Sequence, residues 1–152
     1  MNWLTVWANT LIDELSSLRK NNRGTSAVEF AFLAPLFLLM LLGMSAYGIY
    51  FGAAHSIQQL AADAARTAIA GLNSGDRQNL VSDFISHNAG AYAFVDPGKI
   101  IVIAEDSMVD PNQFVVAIKY DARNLPIWNL LSDLPMPSMT IARKSTIRMG
   151  GL

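Results

Sequence analysis

From Phe30 to Ala54 the chain carries no charged residue, and apolar side chains fall on every face of a helix drawn through that run. A core helix of a soluble protein keeps a polar stripe; this one keeps none. About 25 residues rising about 1.5 Å each make a helix about 37 Å long, enough to cross a hydrocarbon core with some tilt. Past the run the pattern changes. Ile57, Leu60, Ala61, Ala64, Ala68 and Ile69 recur with a period of 3.6, Gln58, Asp63 and Arg66 lie on other faces, and Gly71 with Asn73 supplies a stop. The pattern predicts one helical spine in two parts: a transmembrane helix over 25–54 and an amphipathic continuation over 55–73.

Residues 74–152 read as a small α+β domain. Ser74 is placed to cap a helix over Gly75–His87 with Leu80, Val81, Phe84 and Ile85 on its buried side. The period then falls to two: Lys99–Ala104 is β-branched, Phe114, Val116, Ile118 and Tyr120 alternate with smaller or charged residues, and Met139–Arg148 fits another strand. Glu105–Asp110 with Pro111 supplies a hairpin connection. The expected architecture is a long transmembrane and amphipathic helix packed on a small antiparallel β-sheet. The stretch Leu125-Pro126-Ile127-Trp128-Asn129-Leu130-Leu131 is apolar for a connection. It is either a surface for a partner or the membrane, or a lid on the core with Trp128 at its centre, and the latter is favoured.

Composition sharpens the membrane reading. Apolar residues make up 52% of the chain and charged ones only 15%, against about a quarter in an ordinary globular protein. A net charge of -1 leaves no nucleic-acid footprint. The absence of cysteine excludes thiol catalysis and thiolate metal sites, so the domain must hold together by packing. Arg19, Lys20 and Arg23 precede the span, and only His55, Ser56 and Gln58 follow it closely. The positive-inside rule therefore places the leader, residues 1–24, in the cytoplasm and the C-terminal domain outside. Trp3, Trp7, Leu11, Leu15 and Leu18 fall at helical spacing within that leader. They form either an interfacial helix or a chance pattern in a loose segment.

The junction Arg23-Gly24-Thr25-Ser26-Ala27-Val28-Glu29-Phe30 puts a carboxylate at the mouth of the hydrophobic helix. Two readings stand. A cut after Gly24 would give Thr25 a free ammonium one helical turn from Glu29, able to neutralise it within a subunit or between neighbours. Otherwise Glu29 snorkels to cytoplasmic water and Gly24 merely ends a flexible leader. Pro35 lacks a backbone donor and is expected to loosen or kink the helix near Ala31. Gly48 and Gly52 form a GxxxG pair suited to a partner helix or to nothing in particular.

A glycine, four residues, then Glu-Phe running into a hydrophobic helix resembles the signal of type IV prepilins and pseudopilins. The wider run from Arg23 to Leu36, with Val28-Glu29-Phe30-Ala31 and Pro35, is similar to the TadE-like family of the Tad (Flp) tight-adherence pilus, as are Tyr47-Gly48 and Gln58–Arg66. The resemblance implies cleavage between Gly24 and Thr25 by a prepilin peptidase, with Glu29 as the assembly glutamate of a minor pilin or pseudopilin. It implies as partners other pilin-like subunits (a TadE/TadF-type partner and the Flp pilin), the Tad inner-membrane platform and the lipid bilayer. It also implies a bacterial inner-membrane location and leaves retention in the pilus open. TadE and TadF share this layout, and length separates the chain from larger TadG-type members.

Catalytic chemistry is not expected. His55 and His87 have no second ligand at metal spacing, Asp106 and Asp110 read as solvated turn residues rather than a calcium site, and Arg143, Lys144 and Arg148 as an exposed strand edge. No phosphate loop or nucleophile motif is present, so neither enzyme activity nor a cofactor or metal is anticipated. The competing class is an unprocessed, membrane-tethered protein whose exported domain binds a ligand or partner.

Overall fold

The computed structural model describes residues 23–128 and 135–149, together with Trp7 and Asp13. Of the leader stripe, Trp7 is helical and exposed, while Trp3, Leu11, Leu15 and Leu18 lie outside the described residues, as do Asn129, Leu130 and Leu131. Backbone contacts divide the chain into two units, residues 1–41 and 42–152.

Helix α1 runs from Arg23 to Thr67, continues through Pro35, and ends in a 3-10 turn over Ala68–Ala70 closed by Gly71. In the first unit the helix carries its large apolar side chains outward: Phe32 is 80% exposed and Phe37 61%. Its most apolar stretch has a mean hydropathy of 2.2, long and apolar enough to cross a membrane.

The second unit is α+β. Helix α2, Ser74–Asn88, is followed by β1, Ile100–Asp106; β2, Gln113–Asp121; and β3, Thr140–Arg148. The three strands form one antiparallel sheet in the order β1-β2-β3, with Val102 opposite Ile118 and Ile118 opposite Arg143. Alternation sends Phe114, Val116, Ile118 and Tyr120 of the central strand into the core. Against them pack Val81 and Ile85 of α2 and a stripe along α1: Ala46, Ala53, Ala54, Ile57, Leu60, Ala61, Ala64, Ala65 and Ala68. The helix face in this core is therefore made largely of alanine.

Several local expectations change. The buried stripe of α1 begins at Ala46, about three turns before the Ile57 at which the sequence pattern starts it. Alanine, glycine and tyrosine suit lipid and core alike, so hydropathy does not mark that change. The cap of α2 is Asn73, whose side-chain Oδ1 accepts from the Asp76 N–H at 2.9 Å, rather than Ser74. Arg143 points to the inner face of β3 and is half-buried, whereas Lys144 and Arg148 are exposed on the outer face as expected. Trp128 is half-buried against the core and donates from its indole nitrogen to the Ala122 carbonyl at 2.7 Å, while Leu125 and Ile127 are buried, so these residues close the core.

Candidate functional site

The junction lies on the first turns of α1. Gly24, Thr25 and Glu29 are helical and exposed, and Thr25 and Glu29 stand one turn apart on the same face. Among the described side chains no cation lies within ion-pair distance of Glu29. Gly24 has no positive backbone angle, and a Cβ there would meet nothing within 4 Å. Neither conformation nor packing among the described residues therefore requires glycine at 24. A glycine in a helix weakens it by about 1 kcal/mol relative to alanine.

Beyond the junction, Phe30, Leu33, Ala34, Phe37 and Leu38 line an open groove of about 590 Å³ at the i, i+3, i+4, i+7 spacing of one helix face. The Gly48–Gly52 pair is split by the fold. A Cβ on Gly52 would sit 3.0 Å from the Phe94 ring, so that face is occupied within the chain, whereas Gly48 is exposed with nothing within 4 Å. Phe94 adopts a φ of 62°, a strained conformation for a bulky residue. It is held by its contact with Gly52 and by the Tyr120 hydroxyl, which donates to the Phe94 carbonyl at 3.1 Å.

The family model for TadE-like protein matches residues 24–66. This stretch is a TadE-like segment. It begins at the glycine of the expected cleavage and stops one residue before α1 ends at Thr67, so the shared element is the helix itself, and it associates the chain with the Tad pilus system. No curated protein matches the chain, and no solved structure does.

At the far end of the TadE-like segment, Asp63 and Arg66 form an ion pair, with Arg66 Nη1 donating to Asp63 Oδ1 at 2.5 Å. Asp63 does more than pair with its neighbour: its Oδ2 accepts from the Tyr92 hydroxyl at 2.7 Å and ties α1 to the segment after α2. Burial first, then the hydrogen bond and charge of Asp63, push the Tyr92 phenol from 10.0 up to about 12. Arg77 of α2 is a second tie, donating to Asp106 at 3.1 Å and lying 5.5 Å above the Phe114 ring. Tyr92, Phe94 and Arg77 carry no motif, and their roles come from contacts distant in sequence.

The remaining polar residues are engaged locally. His55 shares a hydrogen bond with Gln59, and His87 with the Asp83 carbonyl. Asp106 takes Arg77, and Asp110 accepts from the Asn112 N–H and the Gln113 amide. Among the described residues no three His, Asp or Glu side chains gather as a metal would need. At the start of the β2–β3 connection, the Arg123 side chain and backbone N–H donate to Asp121 and hold its carboxyl below the usual range.

Proposed function

We propose that this chain is a minor pilin or pseudopilin of the Tad (Flp) pilus machinery, cut by a prepilin peptidase between Gly24 and Thr25. It sits in a bacterial inner membrane with its N-terminus cytoplasmic and its α+β domain outside. The work is structural rather than enzymatic: the domain caps, initiates or supports a fibre assembled with other pilin-like subunits, the Flp pilin and the Tad platform. One observation carries the reading: Gly24 opens a TadE-like helix at a position where the described residues give glycine no conformational or packing purpose. The demand for a small residue then lies outside the chain, in a peptidase that must seat it.

Cleavage would supply what Glu29 lacks. Two helices in lipid gain no hydrophobic free energy by meeting, so their association rests on packing and polar pairing. A Thr25 ammonium one turn from Glu29, on the same chain or a neighbour, neutralises the carboxylate where water is scarce and sets the register between helices. N-terminal sequencing of the protein extracted from its membrane tests the reading. A start at Thr25 is expected, and Gly24→Val is expected to leave the longer species. Glu29→Ala should be inserted and cut yet support no pili. A wild-type protein that retains its leader, or full piliation with Glu29→Ala, overturns the mechanism.

A further inference from the structure

We infer that the free edge of β1 takes an extended strand from another exported polypeptide, laid antiparallel along Ile100–Asp106 as a fourth strand of the sheet. This edge lies wholly in the second unit and outside the TadE-like segment. In the order β1-β2-β3, β1 is paired on one side only. Among the described residues, no group bonds the main chain of Ile100–Asp106 from the other side. The tie from α2, Arg77 to Asp106, runs through side chains and leaves that backbone unbonded. Ile100, Val102 and Ala104 on the inner face are only half-buried, whereas Phe114, Val116 and Ile118 of the central strand are fully buried.

The two edges of the sheet differ. Strand β3 carries Arg143, Lys144 and Arg148, and the Gln58 amide of α1 donates to the Lys144 carbonyl at 3.2 Å. Charge and cover are how natural sheets blunt an edge. Strand β1 contains no lysine or proline, and its register with β2 runs without a bulge over all 7 residues. Ile101 and Ile103 stand 63% and 39% exposed on its outer face. A regular, unguarded, aliphatic edge is a template for strand addition. Pro97 and Pro111 bound it, which limits the pairing segment to roughly 23 Å.

Charge indicates what lies along it. The outer face reads Lys99, Ile101, Ile103, Glu105: a cation, two isoleucines and a carboxylate. The Asp121 carboxyl, lowered chiefly by its hydrogen bonds from Arg123, also feels Lys99, which places that cation beside the end of β2. Neither Lys99 nor Glu105 forms an ion pair among the described residues. An antiparallel partner therefore sets an acidic side chain opposite Lys99, apolar ones opposite Ile101 and Ile103, and a basic one opposite Glu105. A second copy of β1 has that order, but one membrane forbids the pair. The two-fold axis joining two such edges stands perpendicular to the sheet, and a helix packed on a sheet lies in a plane parallel to it. The second α1 would thus run the opposite way. On the reading that α1 spans a bilayer, the occupant is a different chain.

The probe is a fluorescein-labelled peptide, lysine–threonine–isoleucine–threonine–isoleucine–threonine–glutamate, which keeps the outer-face pattern in a soluble form. Its anisotropy is followed against the full chain in phosphatidylethanolamine–phosphatidylglycerol nanodiscs. Saturable binding is expected, weakened about tenfold or more by Ile103→Lys, which guards the edge. Met108→Lys, in the exposed β1–β2 turn, should leave binding unchanged. Glu105→Lys should weaken it several-fold, and a peptide with its lysine changed to glutamate should recover that loss. This swap reports strand direction and does not depend on how well Ile103→Lys folds. No saturable binding, or equal binding of both peptides to wild type and Glu105→Lys, overturns the assignment. Because the chain has no cysteine, an Ile103→Cys variant can be tested for disulfide formation in the same discs. Efficient cross-linking would make the occupant a second copy and overturn it too. The state of the N-terminus leaves this edge untouched, so failure here and failure of cleavage after Gly24 are separate results.

Discussion

Two stretches of one helix, 24–45 and 46–68, each present an apolar face, and the two faces have opposite surroundings. In the first, Phe30, Phe32, Leu33, Leu36 and Phe37 point outward with nothing of the described chain over them. In the second, the side chains turned to the sheet are mostly alanine, with Ile57 and Leu60 as the larger members, and all are buried. The difference teaches that hydropathy measures dislike of water and says nothing about what replaces the water. Side-chain size does. The alanine face shares one buried cluster with Phe114, Val116, Ile118 and Tyr120 of β2, whereas a belt of phenylalanine and leucine suits something soft and external.

The largest expected effect separates the two stretches directly. Leu60→Ala should cost the domain about 2–5 kcal/mol, because a fully buried leucine leaves a cavity. Leu38→Ala, in the uncovered stretch, should leave domain unfolding within about 0.5 kcal/mol of wild type. Denaturant unfolding in detergent, followed by near-UV dichroism, measures both, and equal shifts would erase the distinction. Next in size is Gly71→Ala. Its Cβ would lie 2.6 Å from Arg77 Cγ and 2.7 Å from the Arg77 backbone nitrogen, an overpacking worth about 1–3 kcal/mol in the same assay.

The smallest effect concerns the tie between α1 and the rest of the domain. Tyr92→Phe removes the hydrogen bond to Asp63 and should cost about 1 kcal/mol at neutral pH. The sign with pH is set by the raised phenol. The fold favours the neutral form, so that contribution is complete below the ordinary tyrosine value of 10.0 and is lost as pH rises through about 12. Wild type should therefore lose more stability than Tyr92→Phe over that alkaline window. Parallel alkaline melts of the two proteins would remove the assigned role of Asp63.

Most of the fold was legible because each element has its own period. A charge-free run, a 3.6-residue stripe and strict alternation through Phe114–Tyr120 require no knowledge of neighbours. The point where the stripe starts was not legible, since Ala46, Gly48 and Tyr50 suit lipid and core equally. Asn73 and Ser74 are adjacent residues of equal capping ability, and only backbone geometry chooses between them. Tyr92 and Phe94 reach α1 across loops, through contacts no local pattern encodes. The junction is a motif in the sequence, Gly24 followed by Glu29, and the meaning proposed for it depends on molecules outside the chain. The fold contributes chiefly by leaving Gly24 without another use.

The alanine face of α1 has one more consequence. Exported domains hung on a flexible stalk can be shed intact by a single proteolytic nick in the stalk. Under the proposed topology residues 46–68 would serve as stalk and core at once, so a nick within them would break the domain instead of releasing it, and clean shedding would require a cut at or before Ser45.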